Sequence, residues 1–297
     1  MPTCIICEET SSQVEESAVR SNCRKFGEEL FRIWRCPKCL SVHATDDCDL
    51  AEAYRDYPYH LVGTQSSTQF LLNAGYRNLL ARLCKVGFTR QHKLLDYGCG
   101  SGSFLRYARS KGYNVEGFDE YSEHFSDTRV IQTQYDFVLS QDVIEHVLDP
   151  WEHLSTLSKL TVPGGIVAIG TPNAELVDMR NPVKLIHALH QPYHRHLFSK
   201  RALVSLGERL NWTFVRSYAK MYAETLLPGM NGRFFDFYTQ LGDNTLDFAL
   251  EPLHLNILKL YSPIGLFWAF FGYFFVPEDS LMVVYRTAQR QALPRSA

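Results

Sequence analysis

The chain is short of the features that would place it quickly. It has 297 residues and no run of apolar residues near the roughly 20 that span a bilayer. It has no excess of cationic charge: 30 Lys and Arg stand against 32 Asp and Glu, a net charge of −2. That balance argues against a protein built mainly to coat nucleic acid. The opening residues, MPTCIICEET, hold no basic segment followed by an apolar stretch, so no signal peptide is expected and a cytoplasmic location follows. There is no internal repeat, no low-complexity tract and no Gly-Lys-Ser/Thr ending to a glycine loop, which excludes a P-loop. With 45% hydrophobic and 21% charged residues, the composition is that of an ordinary globular protein with room for a substantial core.

What the chain does have falls into segments. Residues 1–50 are rich in Cys and poor in apolar runs. Residues 51–90 carry aromatics and then a helical pattern, FLLNAGYRNLLARLCKVG, and read as a linker that covers substrate. From 91 to 290, short apolar runs (KLLDYG, NVEGFD, YDFVLSQ, GGIVAIGTP) alternate with amphipathic stretches (SFLRYARSKG, PWEHLSTLSKL). Strands alternating with helices imply an α/β fold with a mostly parallel sheet covered on both faces. Within it, residues 223–279 form a long aromatic insertion before the last strand, SLMVVYRTA.

The stretch LLDYGCGSGSF, residues 94–104, sits where a strand passes through glycines into a helix. Open α/β sheets bind ligands at the carboxyl ends of their strands. Gly98, Gly100 and Gly102 let backbone approach a ligand with no Cβ in the way. The dinucleotide fingerprint wants glycine at its first, third and sixth positions, but Ser103 stands at the sixth. Asp96 just before the loop would repel a pyrophosphate and suits a ligand with positive charge, such as S-adenosylmethionine with its sulfonium and ammonium. Asp119, at the end of the next strand, suits a pair of ribose hydroxyls, although alone it reads as a helix N-cap.

These residues carry a resemblance to class I S-adenosylmethionine-dependent methyltransferases. LLDYGCGSG resembles that family's first motif, VEGFD its second, YDFVLSQDVIEHVLDP its strand-four motif and LTVPGGIVAIGTPN its turn into strand five, in family order over residues 92–222. The resemblance implies a Rossmann-like sheet of seven strands whose last, 280–288, is antiparallel. It assigns Asp96, Gly98 and Gly100 to the methionine part of the cofactor, Asp119 to the ribose and Gln141 to its vicinity, with Tyr97, Glu120 and Asp142 beside them. The stretch 120–134 is short and lacks the usual acidic residue near the adenine.

Two C-x-x-C pairs, Cys4/Cys7 and Cys36/Cys39, fit a closed structural zinc site of four thiolates. A zinc ribbon ahead of a methyltransferase domain resembles bacterial enzymes of natural-product, deoxysugar and cell-envelope pathways. By that analogy Tyr57, Tyr59 and His60 reach the substrate; the alternative is a packed aromatic linker. HQPYHRHLFSK supplies His194 and His196 as candidate bases, against the plainer reading of histidines that pack a helix start. Asp142, Glu145 and His146 resemble a cation-binding segment of ubiquinone-pathway O-methyltransferases, against a structural Glu–His pair. The aromatic insertion favours a bulky apolar acceptor; residues 255–276 read first as a buried or substrate-covering helix, with an in-plane membrane contact as the sharper alternative. The expectation is methyl transfer to oxygen or carbon of a natural product, sugar or lipid-linked compound. An RNA methyltransferase and a non-catalytic cofactor-binding partner protein remain as alternatives.

Overall fold

The computed structural model describes residues 1–46, 66–251, 254 and 258–289. Tyr57, Tyr59 and His60 lie outside them. The chain opens with three antiparallel strands, β1 (Glu15–Arg20), β2 (Leu30–Arg35) and β3 (Val42–Ala44). Helix α1 (Ser66–Cys84) leads into β4 (Lys93–Tyr97), α2 (Ser103–Ser110), β5 (Asn114–Phe118), β6 (Tyr135–Gln141), α3 (Pro150–Leu160) and β7 (Thr161–Pro172). A short helix α4 (Ile186–Leu189) and a two-residue strand β8 (His196–Leu197) follow, then α5 (Lys200–Arg209) and β9 (Thr213–Tyr218). The insertion supplies α6 (Gly232–Gln240), α7 (Leu246–Leu250) and α8 (Pro263–Phe271) before the last strand, β10 (Ser280–Arg286).

The main sheet has the order β5-β4-β6-β7-β10-β9. Strands β5, β4, β6 and β7 are parallel, and β10 lies antiparallel between β7 and β9. The antiparallel last strand is as expected. The sheet has six strands among the described residues, not seven, because the link from 119 to 134 holds only the 3-10 turn Val130–Gln132. A parallel crossover alone takes a dozen residues or more, which leaves that link no length for a further strand.

Side-chain alternation explains how the sheet is clothed. Leu94, Leu139, Ala168, Met282 and Val284 face one layer with Leu79 and Leu83 of α1 and Phe104 and Leu105 of α2. Their neighbours Leu95, Val138, Val167, Ile169 and Val283 face the other, with Leu154 and Leu157 of α3 and Leu203 and Leu206 of α5. Both faces are buried, which is why these strands read as continuous apolar runs. Caps fix the helix starts: Asp149 accepts from the backbone of Trp151 and Glu152 ahead of Pro150, and Ser199 accepts from Ala202.

The Cys-rich segment is not a separate bead. Strand β8 pairs with β3 (Val42 opposite Leu197, His43 opposite His196), so the small sheet runs β1-β2-β3-β8 and takes its fourth strand from the middle of the chain. Cys4, Ile6, Trp34, Cys36 and Cys39 share the apolar layer that covers α3 and α5. Trp151 of α3 donates its indole N–H to Ile5 O (2.9 Å), and the Ser199 hydroxyl donates to Cys39 O (2.5 Å).

Gly117 on β5 has no space for a larger residue: a Cβ there would lie 2.3 Å from Leu105 Cδ1 and 2.8 Å from Cys99 Sγ. Gly117→Ala is expected to destabilise the chain by about 1–3 kcal/mol through overpacking, read from the midpoint of urea unfolding. An unchanged midpoint would contradict the packing described.

Candidate functional site

Three acidic residues mark the carboxyl ends of three neighbouring strands. Asp96 lies at the end of β4, Asp119 follows β5 and Asp142 follows β6. The glycine loop after β4 turns back across them. Gly98 donates to Phe118 O (2.7 Å) and Gly100 donates to Asp119 Oδ2 (2.8 Å), so the loop is pinned to the end of β5. Gly98 has φ +85°, and a Cβ on it would lie 2.3 Å from Val143. Only glycine fits there, as the bare backbone of the sequence suggests.

Asp119 uses both oxygens on backbone, Oδ1 accepting from Tyr121 (3.0 Å) as Oδ2 does from Gly100. No helix starts there, so Asp119 is not a helix N-cap; its carboxylate ties the glycine loop to the turn after β5. Gln141 donates to Asp142 Oδ1 (2.9 Å), while its own Oε1 is buried without a hydrogen-bond partner among the described residues. Gly170 of β7 makes room for that side chain, since a Cβ would fall 1.9 Å from Gln141 Oε1. Tyr97 turns from the cleft to pack on Phe118 and His153.

The electrostatics of this edge are one-sided. Burial, and then the charge of Asp119, push the Asp96 carboxyl up to about 7. Burial pushes Asp142 up to about 6 against the hydrogen bond from Gln141. Tyr76 of α1 and Tyr222, stacked with centroids 6.1 Å apart, lie within the field of both carboxylates. Carboxyls pushed up by burial, an open buried acceptor and a cradle without side chains fit a cationic ligand that donates hydrogen bonds. The same donor set would repel a phosphate. S-adenosylmethionine meets these requirements.

The second cluster lies just beyond. Ligand atoms of Glu145, His146 and His194 fall within 4.8 Å of one another. The Glu145 carboxyl is fully buried, has no hydrogen-bond partner among the described residues and is pushed well above the usual range by burial and then by Asp142. His194 donates Nδ1–H to Ala188 O (2.7 Å), which leaves Nε2 as its basic nitrogen; burial pushes it down to about 4. His146 and His190 pack edge-on to it, with centroids at 4.6 and 5.0 Å, and burial lowers both well below the ordinary histidine range. Asp142 belongs with Gln141 rather than with this group. His196 is placed differently: its Nδ1 meets His43 Nδ1 of the ribbon at 3.0 Å, and its backbone is part of β8. Of the two histidines singled out in the sequence, only His194 stands in the cleft cluster.

A polar relay joins this cluster to the insertion. His190 Nδ1 meets Asn22 Oδ1 (2.7 Å), Asn22 Nδ2 meets His187 Nδ1 (3.2 Å), and His187 Nε2 meets Thr239 Oγ1 of α6 (3.3 Å). Sequence reasoning did not find Asn22, His187 or the tyrosine pair, because each is brought in by tertiary contact from a segment without a motif.

The four thiols of Cys4, Cys7, Cys36 and Cys39 converge. Cys4 and Cys39 are 3.6 Å apart at sulfur, and Cys7 and Cys36 are 3.5 Å apart. Four sulfurs about 2.3 Å from a tetrahedral zinc ion stand about 3.8 Å from one another, so the set fits the ion. His43 Nε2 lies 3.3 Å from Cys4 Sγ, in the position of an outer donor to a thiolate.

Residues 70–217 match the family model described as a methyltransferase domain. Over those residues the chain carries a methyltransferase domain. It is 28% identical over 106 residues to a ubiquinone biosynthesis O-methyltransferase of Caulobacter sp. (strain K31), covering 28% of this chain and 42% of that protein. It is 28% identical over 142 residues to the protein of the same description from Erwinia tasmaniensis, covering 40% and 58%. The chain thus spans well under two thirds of the length of these relatives. Among solved structures, the 1,6-didemethyltoxoflavin-N1-methyltransferase of Burkholderia thailandensis, with bound S-adenosylhomocysteine, superposes with a TM-score of 0.45 at 15% identity, over 84% of this chain and 96% of that one.

The raised Asp96 has a stability consequence. A carboxyl near 7 in the fold and near 3.8 when unfolded contributes fully below pH 3.8 and loses that contribution as pH rises through 7. Asp96→Asn is therefore expected to stabilise the ligand-free protein more at pH 8 than at pH 5, the difference being about 3 kcal/mol at most. Chemical unfolding at the two pH values measures this, and an equal effect at both would contradict a buried, titrating Asp96.

Proposed function

We propose that the protein transfers a methyl group from S-adenosylmethionine to an oxygen or carbon atom of a bulky apolar small molecule. The observation that carries the reading is the acidic strand edge, where Asp96 is buried and Asp142 half-buried beside a glycine loop, with no ion pair to either among the described residues. S-adenosylmethionine supplies an activated methyl group on a sulfonium. Asp96, with the backbone of Gly98 and Gly100, holds the amino-acid portion, and Asp119 with Glu120 takes the ribose hydroxyls. Gln141 and Asp142 close the third side. In-line displacement at a good leaving group needs alignment and a dry site more than it needs a strong catalyst.

His194 is the base in this reading. Burial keeps it neutral at physiological pH, and its hydrogen bond to Ala188 O fixes the tautomer that leaves Nε2 ready to accept a proton from an acceptor hydroxyl or acidic carbon. Glu145 and His146 adjoin it. The insertion reaches the cluster through Thr239 and His187, which makes its aromatic helices the wall on which an apolar acceptor lies. Zinc at the four cysteines is structural, since a closed set of thiolates leaves no open position for chemistry.

Titration calorimetry with S-adenosylhomocysteine tests the reading. Micromolar binding is expected, weakened about tenfold or more by Asp119→Ala, which removes charge-assisted hydrogen bonds. His194→Gln is expected to leave this affinity within about twofold and to slow methyl transfer by about a hundredfold. Absence of binding to the wild type would overturn the proposal.

A further inference from the structure

Among the described residues no helix is long and apolar enough to cross a membrane, yet α8 and the 3-10 turn that continues it (Gly272–Phe275) are built with their faces reversed. The small residues face the protein. Gly265 and Gly272 are buried, and a Cβ on Gly272 would lie 2.1 Å from Asn231 Oδ1. Asn231 donates to Trp268 O (3.1 Å) and Gly229 donates to Ala269 O (2.9 Å), which seats the helix on α6 by its backbone. The bulky residues face outward: Ile264, Phe267, Phe270, Phe271, Phe274 and Phe275 are all exposed, Phe270 at 56% and Phe274 at 65%. A helix that only completed a core would bury its phenylalanines and expose its glycines. Contiguous exposed apolar surface of this kind marks an interaction site.

Charge selects the occupant. Between Glu251 and Glu278 the one Lys, Arg, Asp or Glu is Lys259, and it is exposed. Lys220 lies over the Tyr273 ring at 4.8 Å and donates to Tyr273 O. Beside the helix a cavity of about 320 Å³ is lined by Trp268 together with Lys184, Arg233 and His187, with Asp236 on its wall. Phenylalanines with bordering cations, on an element of 13 residues, suit a segment lying in the plane of a bilayer rather than across it. The element itself, Pro263–Phe275, carries no charged residue, and Ser262 at its start is used in capping Gly265.

We propose that α8 and its continuation form an interfacial membrane anchor, the outward phenylalanines entering the acyl boundary of an anionic bilayer while Lys259, Lys220 and the Lys184/Arg233 cavity meet its headgroups. This places the insertion at the surface from which an apolar acceptor would enter. The anchor does not depend on the methyl-transfer reading, because seating it requires no cofactor.

Sedimentation of the full chain with vesicles tests it, using phosphatidylcholine alone and phosphatidylcholine mixed with phosphatidylglycerol. Binding to the mixed vesicles is expected, weaker on phosphatidylcholine and weaker again in high salt. Phe270→Ser combined with Phe274→Ser is expected to reduce binding at least tenfold, with melting temperature and S-adenosylhomocysteine affinity unchanged. No binding by the wild type, or equal binding by the double variant, would overturn the anchor. So would a concentration-dependent dimer that the double variant abolishes, which would show a second copy as the occupant. Vesicle binding by a chain that fails to bind S-adenosylhomocysteine would uphold the anchor and overturn the proposed function, so the two failures are distinguishable.

Discussion

The short antiparallel pairing of β3 with β8 is the contact on which the candidate site depends. It is only two residues long on the β8 side, yet it joins the two halves of the molecule. On one side it continues through His43 to the Cys4 thiol. On the other, the backbone leads from His196 to Arg195, whose N–H donates to Glu145 O at 2.7 Å, and to His194 in the cleft. Glu145 O takes the amides of both Arg195 and His196. The loop after β6 and the segment around β8 are thus held together by backbone bonds, and that segment is held in turn by the ribbon. A two-residue strand cannot secure itself. The thiol cluster and the apolar layer over α3 and α5 supply the rigidity that it lacks.

The cleft divides into two electrostatic regimes. At the strand edge, acidic groups crowd without counter-charge, and the field favours a cation. A few residues on, three histidines are kept neutral by burial around a buried Glu145. Burial thus favours the uncharged form of every member of this cluster, neutral imidazoles beside a protonated carboxyl.

The parts legible in the sequence were those fixed by local chemistry. The glycine loop announced itself because positive φ and close backbone approach leave no other residue type. Asp119 was legible by its position at a strand end, although its side chain also ties the glycine loop to the turn after β5. The cysteine pairs were legible because a tetrahedral ion needs two knuckles. The rest arises from long-range contact. Nothing in HRHLF signals that His196 meets His43 of the ribbon while His194 bonds back to Ala188, since β8 begins only at His196 and its partner strand lies 153 residues away. The brevity of 120–134 was visible, but its consequence, a sheet of six strands among the described residues, follows only from the room a crossover needs. The insertion was recognisable as aromatic. Which of its faces points outward is decided by glycines packing on Asn231, not by any period in the sequence.

The central claim is that metal in the ribbon orders the site through β3 and β8, and amide hydrogen exchange on the zinc-loaded and chelator-treated protein tests it most directly. The account predicts that removing the metal deprotects the amides of Arg195 and His196 along with those of β2 and β3, while β4 and β5 keep their protection. Unchanged protection at Arg195 and His196 after the metal is gone would contradict it and would make the ribbon a separate appendage.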